Sequence, residues 1–164
     1  MPFWPLNDPV ECDEAFRERY HRPPPWFEVV SLADLEELCW ELSRRMRIDP
    51  PSCSLERVTQ AAWKQIVRQD PVSYREYVCS GEPIGKALRS FFLPVDGVVI
   101  VWTRGETAAR LRCSDLVQFD ELLWREDYWA IDEHAGWIVA GMHERPAGGL
   151  DLRTNQERYP AAKD

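Results

Sequence analysis

Histidine and carboxylate side chains near the end of the chain have the chemistry of metal ligands. Asp132, Glu133 and His134 precede an apolar run, and His143 and Glu144 follow it. If this run pairs with the segment before it in a hairpin, both sets lie at one end of a sheet and could hold a divalent metal. The fourth residue after His143 is alanine, so the H-E-x-x-H pattern of zinc hydrolases is incomplete. The alternative prediction is therefore a metal-dependent hydrolase that uses Asp132, His134, His143 and Glu144.

Other catalytic patterns are missing from the sequence. It contains no G-x-S-x-G segment and no glycine-rich phosphate loop, and none of its five cysteines stands beside an evident histidine base. Adjacent acids such as Asp120 and Glu121 have the chemistry of a glycosidase, but neighbouring side chains on a helix or strand point in different directions. We therefore predict a protein without catalytic residues and without a metal or other cofactor.

An acidic and aromatic segment between Asp115 and Glu144 dominates the composition of the C-terminal half. It contains eight acidic residues and a single base, Arg125, and large aromatic residues are interleaved with the acids. Aromatic side chains anchor protein interfaces and carboxylates select a basic partner, so the segment predicts a binding surface. Carboxylates can also fill a cleft built for phosphate, as an inhibitor of a basic nuclease would. The predicted partner-binding residues are Asp115, Asp120, Glu121, Trp124, Glu126, Asp127, Tyr128, Trp129, Asp132 and Glu133, with Trp124 and Trp129 as the anchors. The alternative that the sequence leaves open is that Trp124, Tyr128, Trp129 and Trp137 close the end of the core instead.

Net charge restricts the classes of partner that the chain is expected to bind, and cysteine usage bears on its cellular compartment. The chain has 164 residues, a formal net charge of −8 and a pI of about 5.0. This charge disfavours binding to nucleic-acid phosphates and to anionic membranes, and it suits a basic protein. The cysteines have no C-x-x-C spacing, and the sequence shows neither a signal peptide nor an apolar run of about eighteen residues. We predict a cytoplasmic protein whose oligomeric state does not follow from the sequence.

Hydrophobic periodicity predicts helices throughout the N-terminal half. Ser31 is the predicted N-cap of one helix, with Asp34 at its third position, and Leu55–Gln69 is predicted to form another. The predicted buried stripe of the Ser31 helix consists of Leu32, Leu35, Leu38, Cys39, Leu42 and Met46. Further helices are predicted within residues 8–20, 70–81 and 84–92, and after Ser114. Trp40 and Trp63 are predicted to pack between helices.

The period changes to two at Asp96-Gly97, which predicts strands in the C-terminal half. Residues 98–103 are apolar on both faces and read as a central strand, with Trp102 in the core and residues 109–113 as the half-buried partner strand. A second hairpin is predicted from residues 128–132 and 137–142. Short strands at residues 26–30 and 150–153 could add to the sheet.

The predicted fold class is α+β, with a single domain that spans residues 1–164. Its helical part, residues 1–94, packs on a mostly antiparallel sheet of about 4–5 strands in residues 95–154. The tail, residues 155–164, is polar and is predicted to fray.

Three segments of the C-terminal half resemble a known class of bacterial proteins. They are VVIVWT…ARLRC, ELLWREDYWAID and the strand that ends in His143-Glu144, all within residues 98–144. These segments are similar to small cytoplasmic immunity proteins of contact-dependent and polymorphic toxin systems. The resemblance implies a non-enzymatic protein that binds and neutralises a cognate basic toxin domain, such as a nuclease. A general protein-interaction adaptor is the remaining alternative, for which a broad apolar surface is expected.

Overall fold

The computed structural model describes residues 16–23, 28–68, 97–102, 108–115, 128–141, 148–158 and 161. Its helices are α1 (Leu32–Met46), α2 (Leu55–Arg68) and the short α3 (Asn155–Arg158), and residues 16–20 are also helical. Its strands are β1 (Glu28–Val29), β2 (Val98–Trp102), β3 (Ala109–Arg112), β4 (Tyr128–Asp132), β5 (Trp137–Gly141) and β6 (Gly148–Asp151). A 3-10 turn, Cys113–Asp115, follows β3. The predicted α+β class is confirmed, whereas the helices predicted at 70–81, at 84–92 and after Ser114, and most of the helix predicted at 8–20, lie outside the described residues.

The strands form one sheet in the order β1-β3-β2-β4-β5-β6, and every neighbouring pair is antiparallel. Both predicted hairpins are confirmed, because β2 pairs with β3 and β4 pairs with β5. The sheet has six strands where about 4–5 were predicted from the sequence. Both short segments join it: β6 pairs with β5, and the two-residue β1 pairs with β3 through Glu28↔Arg110.

Helix α1 begins and ends with local signals that the sequence carries. The Ser31 Oγ accepts a hydrogen bond from the Asp34 backbone N–H at 3.2 Å, which confirms the predicted N-cap, and Arg47 closes the helix with a φ of 57°. The predicted stripe is buried from Leu35 onward: Leu35, Leu38, Cys39, Leu42 and Met46. Leu32 is the exception, with 67% of its surface exposed, because it occupies the first turn beside the edge strand β1.

Helix α2 packs closely on the sheet and is tied to α1. Its buried residues Leu55, Val58, Ala62 and Ile66 follow the predicted stripe. A Cβ at Gly148 of β6 would lie 2.3 Å from the Ile66 Cγ2, so helix and strand approach too closely for a larger residue. In the connecting loop, the Ser52 N–H donates to the Ser43 Oγ at 3.1 Å, and that hydroxyl donates back to the Ser52 carbonyl at 3.0 Å.

Both faces of the central strands are buried. One face carries Ile100, Trp102, Ile131 and Ile138, which belong to the same core cluster as the helix stripes. The alternate residues Val99, Val101, Ala130 and Val139 are also fully buried. This confirms the predicted central strand over Val98–Trp102, with Trp102 in the core; residue 103, the last of the predicted strand, lies outside the described residues.

The first residues of the predicted tail are ordered, which corrects the expectation of fraying. Thr154 and Glu157 form a capping box: the Glu157 N–H donates to the Thr154 Oγ1 at 3.2 Å, and the Thr154 N–H donates to the Glu157 Oε2 at 2.8 Å. The Glu157 carboxylate also accepts two hydrogen bonds from Arg45 of α1. Local capping and a long-range ion pair therefore hold α3 against α1.

Candidate functional site

Two of the predicted partner-binding residues, Tyr128 and the anchor Trp129, are largely buried in β4. Only 2% of the surface of Tyr128 and 7% of that of Trp129 is exposed, because β4 lies between β2 and β5 and is covered on both faces. Neither side chain therefore presents the broad exposed aromatic face expected of an interface anchor. The remaining predicted residues of the acidic helix and its loop, Asp120, Glu121, Trp124, Glu126 and Asp127, lie outside the described residues.

Asp115 is half-buried in the 3-10 turn after β3 and is therefore not an open surface carboxylate. Burial raises the pKa of its carboxyl group, while the charges of Arg112 and Arg22 lower it. Its Oδ2 is buried and has no hydrogen-bond partner within the described part of the chain. Its geometry is that of a carboxyl group packed into the protein rather than one presented to a partner.

Asp132 and Glu133 end β4 with different roles. The Asp132 Oδ2 accepts a hydrogen bond from the Gly136 N–H at 2.8 Å, and the Ala135 N–H donates to the Asp132 carbonyl at 2.9 Å. Asp132 thus closes the β4–β5 turn, and one of its carboxylate oxygens is used within the chain. The half-buried Glu133 instead places its Oε2 3.9 Å from the Arg110 Nε. Of the predicted acids within the described residues, Glu133 is the one that lines an open groove.

Two of the four predicted metal ligands, Asp132 and His134, lie within the described residues. The side chain of His134 is 83% exposed, and its Nε2 lies 3.4 Å from the Glu133 Oε1. Among the described residues, no group of three or more His, Cys, Asp or Glu side chains could hold a metal ion. His143 and Glu144, the other two predicted ligands, lie outside the described residues.

The open groove beside Glu133, called the α1 groove below, lies between α1 and the sheet. Its volume is about 740 Å³, within the range of ligand and side-chain pockets. From α1 it is lined by Asp34, Glu37, Leu38, Trp40, Glu41, Arg44 and Arg45, and from the sheet and the β4–β5 turn by Ile100, Arg110, Glu133, His134 and Ala135. Its floor is apolar and its walls are charged.

One wall of the α1 groove is a network of ion pairs on the last turns of α1. The Glu41 Oε1 accepts from the Arg45 Nε at 2.8 Å, and its Oε2 accepts from the Arg44 Nε at 3.0 Å. The two terminal nitrogens of Arg45 reach the Glu157 carboxylate at 2.7 and 2.8 Å. Hydrogen bonds from Arg44 and Arg45 lower the pKa of Glu41 to about 2, and the hydrogen bond from Arg45 lowers the pKa of Glu157 to about 2. Both arginines are thus held by carboxylates of the protein itself.

Arg110 occupies the opposite wall and is surrounded by acids from three elements. It pairs with Glu28 across β1 and β3, and its Nη2 lies 3.8 Å from the Asp34 Oδ2 at the start of α1. Its Nε is buried without a hydrogen-bond partner in the described part of the chain, with the Glu133 Oε2 3.9 Å away. The groove and its immediate ion-pair partners thus set six carboxylates against three guanidinium groups. The surplus charge is negative.

The outer rim of the α1 groove carries an exposed aromatic residue, Trp40, and an acidic residue, Glu37. Trp40 is 48% exposed, which corrects the prediction that it packs between helices. At about 100° per residue, Trp40 lies roughly 140° from the middle of the buried stripe, so the helical periodicity carried this signal. Glu37 lies one turn before it and has no ion-pair partner among the described residues. An exposed indole beside a carboxylate that no described cation pairs with is thus the feature that sequence reasoning missed.

Comparisons of the chain with protein families, with curated proteins and with solved structures found no match. None of the helices within the described residues is long and apolar enough to cross a membrane.

Proposed function

We propose that this chain is a non-enzymatic immunity-type protein that binds and neutralises a basic toxin domain in the cytoplasm, and that the α1 groove forms part of the contact. The observation that carries the proposal is the half-exposed Trp40 at the rim of a groove whose charge is negative in sum. The α1 groove supplies an exposed aromatic residue, Trp40, whereas Tyr128 and Trp129 are largely buried.

Burial and charge at the α1 groove suit a protein partner. Exposed tryptophans are enriched among the residues that dominate binding energy, and a polar rim that excludes water strengthens their contribution. Because the arginines of the groove are already paired with carboxylates, a basic partner meets two lining acids, Glu37 and the half-buried Glu133, without strong repulsion. Such complementarity raises the association rate and makes it sensitive to salt.

The partner is found first by affinity capture of the tagged chain from its native cells at low and moderate salt, with bound proteins identified by mass spectrometry. Binding kinetics of the purified partner are then measured for Trp40→Ala and Glu37→Lys. Trp40→Ala is expected to weaken the binding free energy by about 2 kcal/mol, the size of an interface hot spot, mainly through faster dissociation. Glu37→Lys is expected to slow association and to weaken its salt dependence.

Matched controls separate the groove from the general charge of the helix. Glu36→Lys makes the same charge change one residue earlier on α1, on a side that does not line the groove. Val67→Ala removes another exposed apolar side chain, on α2. Both controls are expected to retain most of the affinity. Equal losses from Glu36→Lys and Glu37→Lys, together with a neutral Trp40→Ala, would rule out the groove as the contact.

The hydrolase alternative depends on His143 and Glu144, which lie outside the described residues. Metal analysis of protein purified without chelator tests it independently of any partner. A stoichiometric bound metal that is lost in His143→Ala would favour the enzyme, and a folded, metal-free sample would count against it.

A further inference from the structure

A second groove, called the tryptophan groove below, lies between α2 and the sheet. Its volume is about 430 Å³. Its lining consists of Glu56, Thr59, Gln60, Trp63 and Lys64 from α2, with Trp102 from β2 and Trp129 from β4. It shares no lining residue with the α1 groove. Three of the eight tryptophans of the chain therefore meet at one opening.

The fold itself assembles these indoles. Trp102 and Trp129 are direct cross-strand partners, so both side chains lie on the helix-facing side of the sheet. They are largely buried, with 6% and 7% of their surface exposed, while Trp63 of α2 is half-buried beside them. The residues Glu56, Gln60, Trp63 and Lys64 recur at helical spacing, so one side of α2 faces the groove. Trp63 therefore offers the largest aromatic surface, and the two strand residues complete the floor.

The polar groups at the mouth of the tryptophan groove favour a cation with a flat shape. The Thr59 hydroxyl is already used, because it donates to the carbonyls of Leu55 and Glu56. The exposed Glu56 carboxylate has no ion-pair partner within the described residues. Indole surfaces attract cations, and the planar guanidinium of arginine stacks on them and pairs with carboxylates. Lys64 supplies the one opposing charge, on a long exposed side chain that can turn into water.

We propose that the tryptophan groove binds the guanidinium group of an arginine presented by a partner protein, which stacks on Trp63 and pairs with Glu56. The inference rests on the proposed function in one respect, namely that the arginine belongs to the basic partner. The preference of the groove for guanidinium is a property of this chain, and it can be tested without that partner.

The test is a titration of the full chain with N-acetyl-arginine amide, followed through the NMR signals of the tryptophan indole N–H groups. N-acetyl-citrulline amide serves as the matched neutral probe, since it has nearly the same shape without the charge. Saturable shifts of the Trp63, Trp102 and Trp129 signals are expected with the arginine probe. Glu56→Gln, an exposed substitution that leaves the core intact, is expected to weaken binding about two- to five-fold. Val67→Ala, on α2 but outside the groove, is the control and is expected to change nothing.

Lys64→Met decides between a cation and a neutral polar ligand. Removing the like charge is expected to strengthen arginine binding about two-fold, and added salt should reduce that gain. Equal shifts from the citrulline probe, or weaker binding in Lys64→Met, would overturn the proposal and indicate a neutral ligand such as a sugar. Unshifted groove indoles at high probe concentration would overturn it as well. None of these results depends on Trp40 or Glu37, so the proposed function stands or falls separately.

Discussion

The ion pair between Arg45 and Glu157 fastens the end of the described chain to α1, and its strength can be predicted. The substitution Glu157→Gln keeps a side-chain oxygen that can accept the hydrogen bond of the Thr154 N–H, so the capping box survives. It removes the charge that receives two hydrogen bonds from Arg45 at 2.7 and 2.8 Å. The change therefore isolates the ion pair from the local helix cap.

The magnitude follows from geometry and exposure. The hydrogen bond from Arg45 lowers the pKa of Glu157 from its ordinary 4.5 to about 2, which without solvent screening would correspond to roughly 3 kcal/mol. The Glu157 side chain is 40% exposed, however, and exposed pairs contribute ~1 kcal/mol or less. The bidentate geometry and the 12% exposure of Arg45 favour the upper end of that range. We expect Glu157→Gln to lower the free energy of unfolding by about 1 kcal/mol at neutral pH.

The effect should depend on pH in one direction. The pKa of Glu157 is lower in the folded chain than in the unfolded chain, so its contribution is complete above the unfolded pKa of about 4.5. As the pH falls from there toward 2, protonation of the folded-state carboxylate removes the contribution. The stability difference between the native chain and Glu157→Gln is therefore expected to be largest at neutral pH and to shrink through this acidic window.

Urea unfolding followed by tryptophan fluorescence measures the difference at several pH values, and amide exchange of residues 155–158 reports local opening. Glu36→Gln is the control, because it removes one exposed carboxylate of α1 without touching Arg45. A double-mutant cycle with Arg45→Met isolates the coupling between Arg45 and Glu157 from the separate contact of Arg45 with Glu41. The reasoning is refuted if Glu157→Gln matches the native chain at neutral pH, or if its deficit stays constant down to pH 3.

Two further predictions concern the walls of the α1 groove and the packing of α2. Arg110→Met leaves Glu28, Asp34 and Glu133 without their shared cation. We expect the free energy of unfolding in urea to fall by about 2 kcal/mol, and we expect this loss to become smaller at high salt. A loss that does not depend on salt would contradict the electrostatic explanation. Gly148→Ala places a methyl group against Ile66. We expect the free energy of unfolding to fall by about 1–3 kcal/mol, and by much less when Ile66 is also replaced by alanine. Additive losses from the two substitutions would show that the two residues do not collide.

Local signals made α1 and the two hairpins predictable. The Ser31 cap, the stripe from Leu35 to Met46 and the change of period at Asp96-Gly97 each depend on residues close together in the sequence. The capping box of Thr154 and Glu157 also depends on residues close together in the sequence, although the sequence prediction places it in a frayed tail. The partner that fastens it, Arg45, lies more than a hundred residues away, and no local pattern indicates such a pairing.

The burial of Tyr128 and Trp129, which the prediction left open, has a physical origin in the sequence itself. The run from Tyr128 to Ile131 has no polar residue, which is the same pattern that identified β2 as a central strand buried on both faces. The acids on either side drew the segment toward a surface interpretation. Charged residues beside a strand indicate where the strand ends, whereas an unbroken apolar run indicates that both of its faces are covered. The apolar run is therefore the stronger evidence for whether β4 is buried or exposed.

The acidic surface that the structure assembles differs in origin from the one that the sequence predicted. The predicted surface was a continuous segment. The acids that line the α1 groove come instead from α1 and the β4–β5 turn, and Glu28 of β1 and Glu157 of α3 pair with its arginines. Glu133 is the residue common to both surfaces. Acids near the start of α1 stabilise that helix through its dipole, which explains Asp34 without any partner. Glu37 lies beyond the first turn, where the dipole effect fades, and no described cation pairs with it. Substitution of Glu37 therefore tests the proposed contact at the α1 groove with little effect on the dipole of the helix.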